Sequence, residues 1–438
     1  STPSNSSAAS DVYKRQEFNT IFDIDGKGIE FEFSNNTANN NTIYNCDYYG
    51  IEIGSSDTRD SIIFNNSIYN ISGSGINLYA DSRNHNISYN IIYNNTGMGI
   101  VMGDQWATSV DGMLLHRVWG NEIFNNSGAG IWLYYGESVL IENNTVHNNA
   151  GTGIILNTTD NSNITNCSVY NNSRGVLIIE GAGGTGPGTN NRLENSRIFN
   201  NTNAGVRVDL GSSESVINNM ISENDYGVVL VAPGTTSNNV SGNDIYDNRL
   251  DGVYILERQA TISYNRIYRN NRGIVNPLVD NFNSESNNIF YNNITNNTFI
   301  GVFLEDVDSD NVSDNIIRNS TIGIFINDTG NLDCYSNIVD SNTIDDVGKG
   351  IYIKNCTANT LQHNQITDGT QSIGIVVEGS NVYDTWIINN TISNFTYGIL
   401  LNLSFATLIN ESHIFNNSYG IYVLDTRLYD PAGGYDYN

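Results

Sequence analysis

Basic residues, prolines and cysteines are scarce in this sequence, and each shortage excludes a class of structure or function. Its 438 residues include 5 prolines, 4 cysteines and 19 lysines and arginines, against 46 aspartates and glutamates. Because nucleic-acid binding needs clustered lysine and arginine, the formal charge of −27 argues against a nucleic-acid partner. No apolar run reaches about 18 residues, so we expect no membrane span. Long stretches of helix-forming residues are also missing, which argues against a helical bundle.

One repeat, rich in asparagine, fills most of the chain. The sequence contains 74 asparagines and 41 glycines. Segments 41–53 (NTIYNCDYYGIEI), 121–133 (NEIFNNSGAGIWL) and 243–255 (NDIYDNRLDGVYI) share one template: N-x-I-x-N, a short turn, then G-I-x-φ, where φ is apolar. The template returns at a mean spacing of about 25 residues, which is typical of solenoids.

Each column of the repeat has a structural interpretation. β-Branched residues at a period of two, such as Ile123 and Val146 after the first asparagine, predict strands rather than helices. The asparagine column suits a left-handed corner and a stacked amide ladder, and glycine suits the other corner. We therefore predict an all-β solenoid of stacked coils, each with three short strands that pair in parallel with the next coil.

These repeats resemble the PbH1-type repeats of the pectate-lyase-like and NosD-like superfamily. The resemblance covers about 85–90% of the chain and implies a single-stranded right-handed parallel β-helix of about 16–17 coils. In its asparagine content the chain also resembles archaeal surface proteins. Because this scaffold carries lyases, hydrolases, epimerases, tailspikes and surface proteins, the resemblance says more about the fold than about the function.

We expect residues 1–16 to form a disordered or arm-like leader, residues 17–428 the β-helix, and residues 429–438 a C-terminal tail. Cys334 and Cys356 each lie eight residues before a column asparagine, so they occupy one column on adjacent coils. This placement suits a disulfide, and two stacked thiols are the alternative. The ends lack obvious caps, which favours end-to-end stacking of copies.

Asn-x-Ser/Thr sequons are frequent, and the sequence contains 26 of them. This number is higher than chance predicts, and part of the excess follows from the repeat itself. Polar composition alone, without glycosylation, is the alternative explanation. We expect Asn94, Asn125 and Asn171 to face inward. Outward-facing, glycosylated asparagines are expected beside the inward apolar column and after the G-I-x-φ strand: Asn86, Asn157, Asn163, Asn239, Asn311, Asn327 and Asn402. Covalent glycans indicate an exported, extracellular surface protein.

The x position of G-I-x-φ should point to solvent, yet it is largely apolar. Its members include Trp132, Ile155, Leu177, Val229, Tyr254, Phe303, Phe325, Tyr352, Leu400 and Tyr422. A sheet that is apolar on both faces is normally covered on both, so we predict lateral packing against another copy of the chain. Mutual shielding along the column is the alternative. A second outward column of Tyr and Phe, including Tyr44, Tyr69 and Phe124, either stacks as structural support or binds sugar rings.

Candidate catalytic residues lie in the long turn at 103–119. Its side chains Asp104, Asp111, His116 and Arg117 could supply acid and base groups to a glycoside. Asp306, Asp308 and Asp310 form the densest acidic turn and are candidate Ca²⁺ ligands, although solvated charge is the default interpretation. The histidines show no ligand spacing, so no other cofactor is expected.

The sequence therefore favours a structural, non-enzymatic role. We predict a cell-surface glycoprotein that assembles with copies of itself into a filament, sheath or surface layer. The alternatives are a polysaccharide-active lyase or glycoside hydrolase, and a carbohydrate-binding adhesin or tailspike on the same scaffold.

Overall fold

The computed structural model describes residues 14–54, 58–79, 81–103, 113–179, 189–235, 237–277, 285–330, 334–367, 372–379, 382–425, 428–429 and 435–436. The chain forms two compact units, Ser1–Ser168 with Gly181–Thr185, and Val169–Glu180 with Gly186–Asn438. The predicted fold class is confirmed: the chain is an all-β, right-handed parallel β-solenoid of about 15 turns. Each full coil has three sides, and equivalent sides of successive coils pair in parallel as three rows of strands.

The first unit contains the N-terminal coils. Its first row consists of Arg15–Glu17, Thr37–Asn39, Ile62–Phe64, Asn86–Ser88, Arg117–Trp119, Leu140–Glu142 and Asn163–Thr165. Its second row consists of Thr20–Ile24, Thr42–Cys46, Ser67–Tyr69, Ile91–Tyr93, Glu122–Phe124 and Thr145–His147. Its third row consists of Ile29–Phe31, Ile51–Ile53, Ile76–Leu78, Ile100–Met102, Ile131–Tyr134 and Thr152–Asn157. Met113–Leu114 and Gly136–Glu137 form a small additional parallel pair.

The second unit repeats the same three rows. The first row is Arg192–Glu194, Ser215–Ile217, Asn239–Ser241, Thr261–Ser263, Asn288–Phe290, Asn311–Ser313, Ile338–Asp340, Thr360–Gln362, Trp386–Ile388 and Leu408–Asn410. The second row is Ser168–Tyr170, Arg197–Phe199, Met220–Ser222, Asp244–Tyr246, Arg266–Tyr268, Asn293–Thr295, Gln365–Thr367, Thr391–Ser393 and His413–Phe415. The third row is Arg174–Ile179, Ala204–Asp209, Tyr226–Thr235, Asp251–Arg258, Arg272–Asn276, Ile300–Glu305, Ile373–Glu378, Tyr397–Asn402 and Tyr419–Asp425.

Two long strands of the second unit, Ile316–Asn327 and Thr343–Lys354, run through both the second and the third row. A short antiparallel pair, Leu428–Tyr429 with Tyr435–Asp436, follows the last coil.

A typical corner of the described coils is built from two residues with different tasks. The first has a positive φ, and the second points inward; Asn65 (φ 54°) before the buried Asn66 is an example. Three strand residues follow, so left-handed residues recur at Asp60, Asn65 and Asn70. The sequence had suggested that the column asparagines adopt the left-handed conformation, and this prediction was wrong. That conformation belongs to the preceding residue, because the column side chain must turn into the coil to reach its neighbours.

The buried asparagines form amide ladders, as predicted. The backbone N–H and side-chain Nδ2 of Asn219 both donate to Oδ1 of Asn243 in the next coil, at 2.8 and 3.1 Å. Nδ2 of Asn243 also donates to the carbonyl oxygen of Val216, at 2.8 Å. Each amide thus satisfies backbone groups that no strand pairing reaches, which a buried corner requires.

The repeat glycines permit close approach between coils and do not provide left-handed corners. A Cβ on Gly252 would lie 2.6 Å from Cγ2 of Ile267 and 2.7 Å from the carbonyl oxygen of Gly273. Gly252 is not among the glycines with a positive φ. The prediction that glycine serves a corner was therefore wrong, because steric exclusion of the side chain, and not backbone handedness, selects glycine here.

The core is a set of vertical columns of aliphatic side chains. Ile123 pairs with Ile92 on one side and with Val146 on the other, and all three are fully buried. Cys334 and Cys356 form a disulfide whose Cα atoms are 4.9 Å apart. Cys167 replaces a ladder asparagine, and burial raises the pKa of its thiol to about 11. Cys46 is also buried and does not pair with another cysteine.

Candidate functional site

A cleft on the outer face of the third row in the second unit is the best candidate for a binding site. Its volume is about 340 Å³. Its lining residues, which we call the tyrosine cleft, are Asn203, Arg207, Tyr226, Val229, Val231, Tyr254 and Leu256. Three parallel strands place them, because Arg207, Val229 and Tyr254 are register partners on successive coils.

The two tyrosines of the cleft do not stack on each other. The rings of Tyr226 and Tyr254 meet edge to face, with centroids 5.6 Å apart and an angle of 64° between planes. An edge-to-face pair leaves one ring face uncovered by its partner, and both residues are half-buried. The pair therefore offers the apolar surface on which a flat or ring-shaped ligand can pack.

A buried ion pair lies beside the tyrosines. Nε and Nη2 of Arg272 donate to the two carboxylate oxygens of Asp251, at 2.7 and 2.8 Å, and the Asp251 side chain is completely buried. Arg207 pairs with Asp209 at 2.8 Å on the neighbouring part of the same face. These bidentate or short pairs fix the charged side chains in place at the margin of the cleft.

Three titratable groups near the cleft are shifted toward their protonated forms. Burial raises the pKa of Asp251, although the Arg272 guanidinium opposes the shift. Burial also raises the pKa of the Tyr254 hydroxyl, and Tyr226 and Asp251 add to the effect. The pKa of Glu305 is likewise raised by burial and by the adjacent Asp306. Such groups mark a partly dehydrated site, in which polar contacts to a ligand are stronger than in water.

Sequence reasoning missed most of this cleft. Tyr226, Asp251 and Arg272 all occupy the position just before the repeat glycine, which the template had left undefined. Arg207 breaks the apolar x column, and that break is the signal that could have located the site.

The apolar x column is mostly covered and does not form an open patch. Ile155, Leu177, Val229, Phe303 and Tyr352 are each less than 10% exposed. In the second unit, the outer face forms a hydrophobic cluster of Val275, Ile300, Phe303, Ile322, Tyr352 and Val376, flanked by Tyr254, Phe325, Ile373 and Leu400. Trp132 is half-buried, and Tyr422 is 36% exposed. The expectation of a solvent-exposed apolar column is corrected: the side chains of neighbouring coils shield one another, which removes most of the reason to infer a lateral partner.

The outward aromatic column forms a continuous stack of rings in the first unit. In the first unit, Tyr44, Tyr69 and Tyr93 stack with centroid distances of 5.1 and 4.9 Å and planes within 15° of parallel. Phe124 and His147 continue the same stack. Because each ring covers the faces of its neighbours, only ring edges remain for a ligand. This geometry favours the structural interpretation, stabilisation across coils.

The candidate catalytic turn is not supported by its described residues. Asp104 and Asp111 lie outside the described residues. His116 points into the solenoid, where Nε2 lies 2.9 Å from the carbonyl oxygen of Ser82 and burial lowers its pKa to about 3. It was therefore wrongly assigned as a candidate acid or base, because it serves as a ladder residue stacked on His85. Arg117 is exposed and pairs with Glu142 at 2.8 Å.

The acidic turn does not gather into a metal site. Asp306 accepts a hydrogen bond from the Thr329 N–H at 2.7 Å, Asp308 accepts one from Tyr335, and Asp310 accepts one from Asn287. All three residues are buried and serve different backbone groups, so the solvated-charge interpretation is also wrong. Within the described residues, no three His, Cys, Asp or Glu side chains are grouped to hold a metal ion.

The sequon asparagines occupy outward positions. Asn163 is exposed, and Asn86, Asn157, Asn239, Asn311, Asn327 and Asn402 are half-buried. Asn94, Asn125 and Asn171 are also exposed, so the expectation that they face inward was wrong. Each is the left-handed corner residue, with φ near 55°, and the ladder asparagine that follows it is the one that turns inward.

A family model described as "Right handed beta helix region" matches residues 7–113, 115–242, 187–276 and 216–343. The chain belongs to the right-handed β-helix family. A second model, "Periplasmic copper-binding protein (NosD)", matches residues 300–429 of this β-helix protein. No curated protein matches the sequence. None of the described residues forms a helix that is long and apolar enough to cross a membrane.

Solved β-helices resemble this one at low identity. The A-module of a mannuronan C-5 epimerase from Azotobacter vinelandii is 14% identical, with 81% of this chain and 90% of that chain covered and a TM-score of 0.42. A DFA-IIIase from Arthrobacter chlorophenolicus A6 is 11% identical, with 67% and 83% covered and a TM-score of 0.42. A tailspike protein of E. coli bacteriophage HK620, in complex with a pentasaccharide, is 11% identical, with 88% and 73% covered and a TM-score of 0.44.

The segment that matches the copper-binding family does not have the ligands that copper prefers. Residues 300–429 contain no methionine and two histidines, His363 and His413, and both cysteines of this segment are joined in the disulfide. Nδ1 of His363 lies 2.9 Å from Asp340. Copper sites in proteins use thiolate, thioether and imidazole ligands in close array, so the residues present do not fit a copper centre.

Proposed function

We propose that this β-helix protein binds an extended polysaccharide through the tyrosine cleft. The observation that supports the proposal most directly is the edge-to-face pair of Tyr226 and Tyr254, whose uncovered ring surface lies beside polar side chains. Carbohydrate sites combine such an apolar ring surface with a few fixed polar groups. Arg207 and Asn203 supply those groups here.

The composition of the surrounding chain supports the same site. Residues 192–272 contain eight arginines and nine acidic residues, so this segment carries a formal charge of −1, whereas the whole chain carries −27. A polysaccharide with carboxylate or sulfate groups would be repelled least here. Neutral and acidic polymers are therefore both reasonable ligands for the cleft, and binding does not require catalysis.

Replacing Tyr254 by alanine is expected to weaken polysaccharide binding by at least about tenfold, since a lost ring–sugar contact of roughly 1.4 kcal/mol corresponds to that factor. The measurement is affinity electrophoresis and calorimetry of the full chain against a panel of neutral and uronic-acid polysaccharides. Tyr246→Ala is the matched control, because Tyr246 stacks on Tyr268 outside the cleft, with centroids 5.0 Å apart. Equal losses in the two variants, or no binding by the parent protein to any polymer, would contradict the proposal.

A second candidate function, head-to-tail self-assembly, is favoured by the last described coil. Its core residues Ile421 and Val423 are 49% and 50% exposed, whereas their register partners Ile399 and Leu401 are buried. A first coil from another copy would cover this core and extend the parallel rows.

Light scattering at low micromolar concentration and electron microscopy test this assembly. We expect end-to-end particles that Ile421→Lys converts to monomers. Tyr422→Lys is the control, because Tyr422 lies on the outer side of the same strand, against Tyr397 and Tyr419. A parent protein that remains monomeric would count against filament, sheath and surface-layer roles together.

We also propose that the protein works outside the cytoplasm, at the cell surface. The Cys334–Cys356 disulfide and the outward sequons, including Asn86, Asn157, Asn163, Asn239, Asn311, Asn327 and Asn402, support this location.

A further inference from the structure

The sequons are sorted by burial throughout the described chain. All 25 sequon asparagines among the described residues are exposed or half-buried. None of the 30 fully buried asparagines begins a sequon. The repeat explains part of this sorting, because a core residue such as Ile92 stands two positions after the ladder residue Asn90, where Ser or Thr would be needed.

The repeat does not explain which corner carries the sequons. The left-handed residues before the third-row strands, which we call the third corner, include nine sequon asparagines: Asn70, Asn94, Asn125, Asn171, Asn200, Asn296, Asn319, Asn394 and Asn416. Among the described residues, one left-handed residue two positions before a first-row strand begins a sequon, Asn35, and the others include Ser213, Leu115 and Gln259. The corner before the second-row strands has five: Asn40, Asn65, Asn143, Asn166 and Asn389. A left-handed corner therefore does not by itself demand an acceptor asparagine.

The third corner lacks a sequon at isolated coils, such as those of Asn45, Asn148 and Asp346, and it lacks one at three successive coils beside the tyrosine cleft. Between Asn200 and Asn296, its left-handed residues are Glu223, Asp247 and Arg269, all exposed with φ of 57°, 54° and 56°. Asn239 is the only sequon from residue 201 to residue 292. It lies in the first row and not at the third corner.

This gap lies at the edge of the cleft. Asn203 lines the cleft three residues after Asn200, and Tyr226 lines it three residues after Glu223. The N–H of Tyr226 donates to the Asn203 carbonyl oxygen at 3.3 Å, which joins the two coils at this edge. Glu223 and Asp247 precede the third-row strands that carry Tyr226 and Tyr254, so a bulky group on either of these corner residues would stand on a coil of the tyrosine pair.

We propose that the third corner is a file of N-glycosylation sites, interrupted at the coils that carry Tyr226 and Tyr254 so that this tyrosine pair stays uncovered. In the reaction, Nδ2 of asparagine attacks C1 of a sugar carried on a polyprenyl phosphate or diphosphate. The C1–O bond to phosphate breaks, a C1–N bond forms, the lipid phosphate leaves, and the amide loses one proton. Glycosylation of the third corner does not depend on what the cleft binds, whereas the role of the interruption rests on the proposed function.

The file is tested by secreting the full chain from a host with N-linked glycosylation and mapping modified asparagines by mass spectrometry after enzymatic release in ¹⁸O-water. We expect occupancy at Asn94, Asn125, Asn200 and Asn296, and loss of the Asn125 site in Ser127→Ala but not in Ser127→Thr. The proposal fails if these corner asparagines are unmodified while a control glycoprotein from the same cells is modified.

The interruption is tested by giving the cleft corner an acceptor, through Asp247→Asn combined with Arg249→Thr. We expect this variant to gain a glycan and to lose polysaccharide binding by at least tenfold, and to regain binding after enzymatic deglycosylation. The same variant from a host without N-glycosylation controls for the lost Arg249–Asp225 and Arg269–Asp247 pairs. A new glycan with unchanged binding would overturn the role of the interruption and leave the file intact. Absence of binding in the parent protein would contradict the proposed function and not the file.

Discussion

Replacing Asp310 by asparagine is expected to raise the stability of the protein at neutral pH by about 3–4 kcal/mol. Asp310 stands in the ladder of the first corner, completely buried, where its neighbours in the column include Asn287 and Asn337. Oδ1 accepts from the N–H of Asn287 at 2.8 Å, and Oδ2 lies 2.6 Å from Nδ2 of Asn276. Burial raises the pKa of this carboxyl to about 7.

The direction of the pH dependence follows from that raised pKa. The folded protein holds a proton on Asp310 up to about pH 7, while the unfolded chain releases it near pH 4. Stability is therefore lost as the pH rises from about 4 to 7, and the loss is complete above the folded pKa. Asparagine does not titrate, so the advantage of Asp310→Asn should be absent near pH 4 and should grow across this window.

The local hydrogen bonds also favour the amide. Oδ1 of Asn276 is buried and has no hydrogen-bond partner among the described residues. Turning the Asn276 amide over would place Oδ1 where a protonated Asp310, or an asparagine in its place, can donate to it. A neutral side chain thus satisfies an acceptor that the carboxylate leaves without a donor.

Urea unfolding at pH 4, 5.5 and 7.5 measures the effect as a change in midpoint. Asp314→Asn is the control, because Asp314 is an exposed left-handed corner residue one coil side further on. We expect no pH-dependent gain in that variant. Equal midpoints for the parent protein and Asp310→Asn at pH 7.5 would show that burial does not raise the pKa of this carboxyl.

Asp310 also illustrates how far the sequence could predict this molecule. The columns of buried aliphatic side chains were predicted well, because a solenoid stacks equivalent positions of successive coils. Ile123 next to Val146 is an example. The pairing of Cys334 with Cys356 was predicted in the same way. Asp310 was interpreted as part of an acidic surface turn, because a local cluster of Asp residues resembles a cation loop when its column is ignored. Its position within the repeat, between Asn287 and Asn337 on the neighbouring coils, identifies it as a ladder residue.

Errors of a single residue had the largest consequences for the candidate site. The left-handed conformation was assigned to the ladder asparagine instead of its predecessor, and this shift turned Asn94, Asn125 and Asn171 inward in the prediction. The x column was assigned to the correct face, but its exposure depends on contacts between coils that a single repeat does not show. Val229 and Tyr254 were predicted as members of the x column, but the cleft was missed because Asn203, Arg207 and Tyr226 depart from the repeat, and a template records only what recurs.

Removing Arg272 is expected to be the most damaging change at the cleft. Asp251 is completely buried, and the Arg272 guanidinium is its paired cation. In Arg272→Leu, the carboxylate would remain buried without that cation, which typically costs 3–5 kcal/mol; we expect about 3 kcal/mol, because the Arg272 side chain is 30% exposed. Polysaccharide binding should fall with stability, since Asp251 and Tyr254 lie on the same strand.

A double-mutant cycle separates the stability contributed by the Asp251–Arg272 ion pair from the contributions of the two individual side chains. Asp251→Asn in the Arg272→Leu background should restore most of the lost stability, because no buried charge is then left unpaired. The loss in Arg272→Leu alone should shrink as the pH falls, since the pKa of Asp251 is already raised by burial and protonation relieves the unpaired charge. Urea unfolding at two pH values measures both effects.

A neighbouring pair provides the matched control. Arg269 and Asp247 form the same type of contact between adjacent coils, at 2.6 Å, but with side chains 53% and 37% exposed. Arg269→Leu should cost no more than about 1 kcal/mol, as exposed ion pairs do. If the two arginine variants lose equal stability, Asp251 is not held as a buried charge. This part of the third row would then be held more by packing contacts, including the Arg272 guanidinium over the Phe303 ring, than by the ion pair.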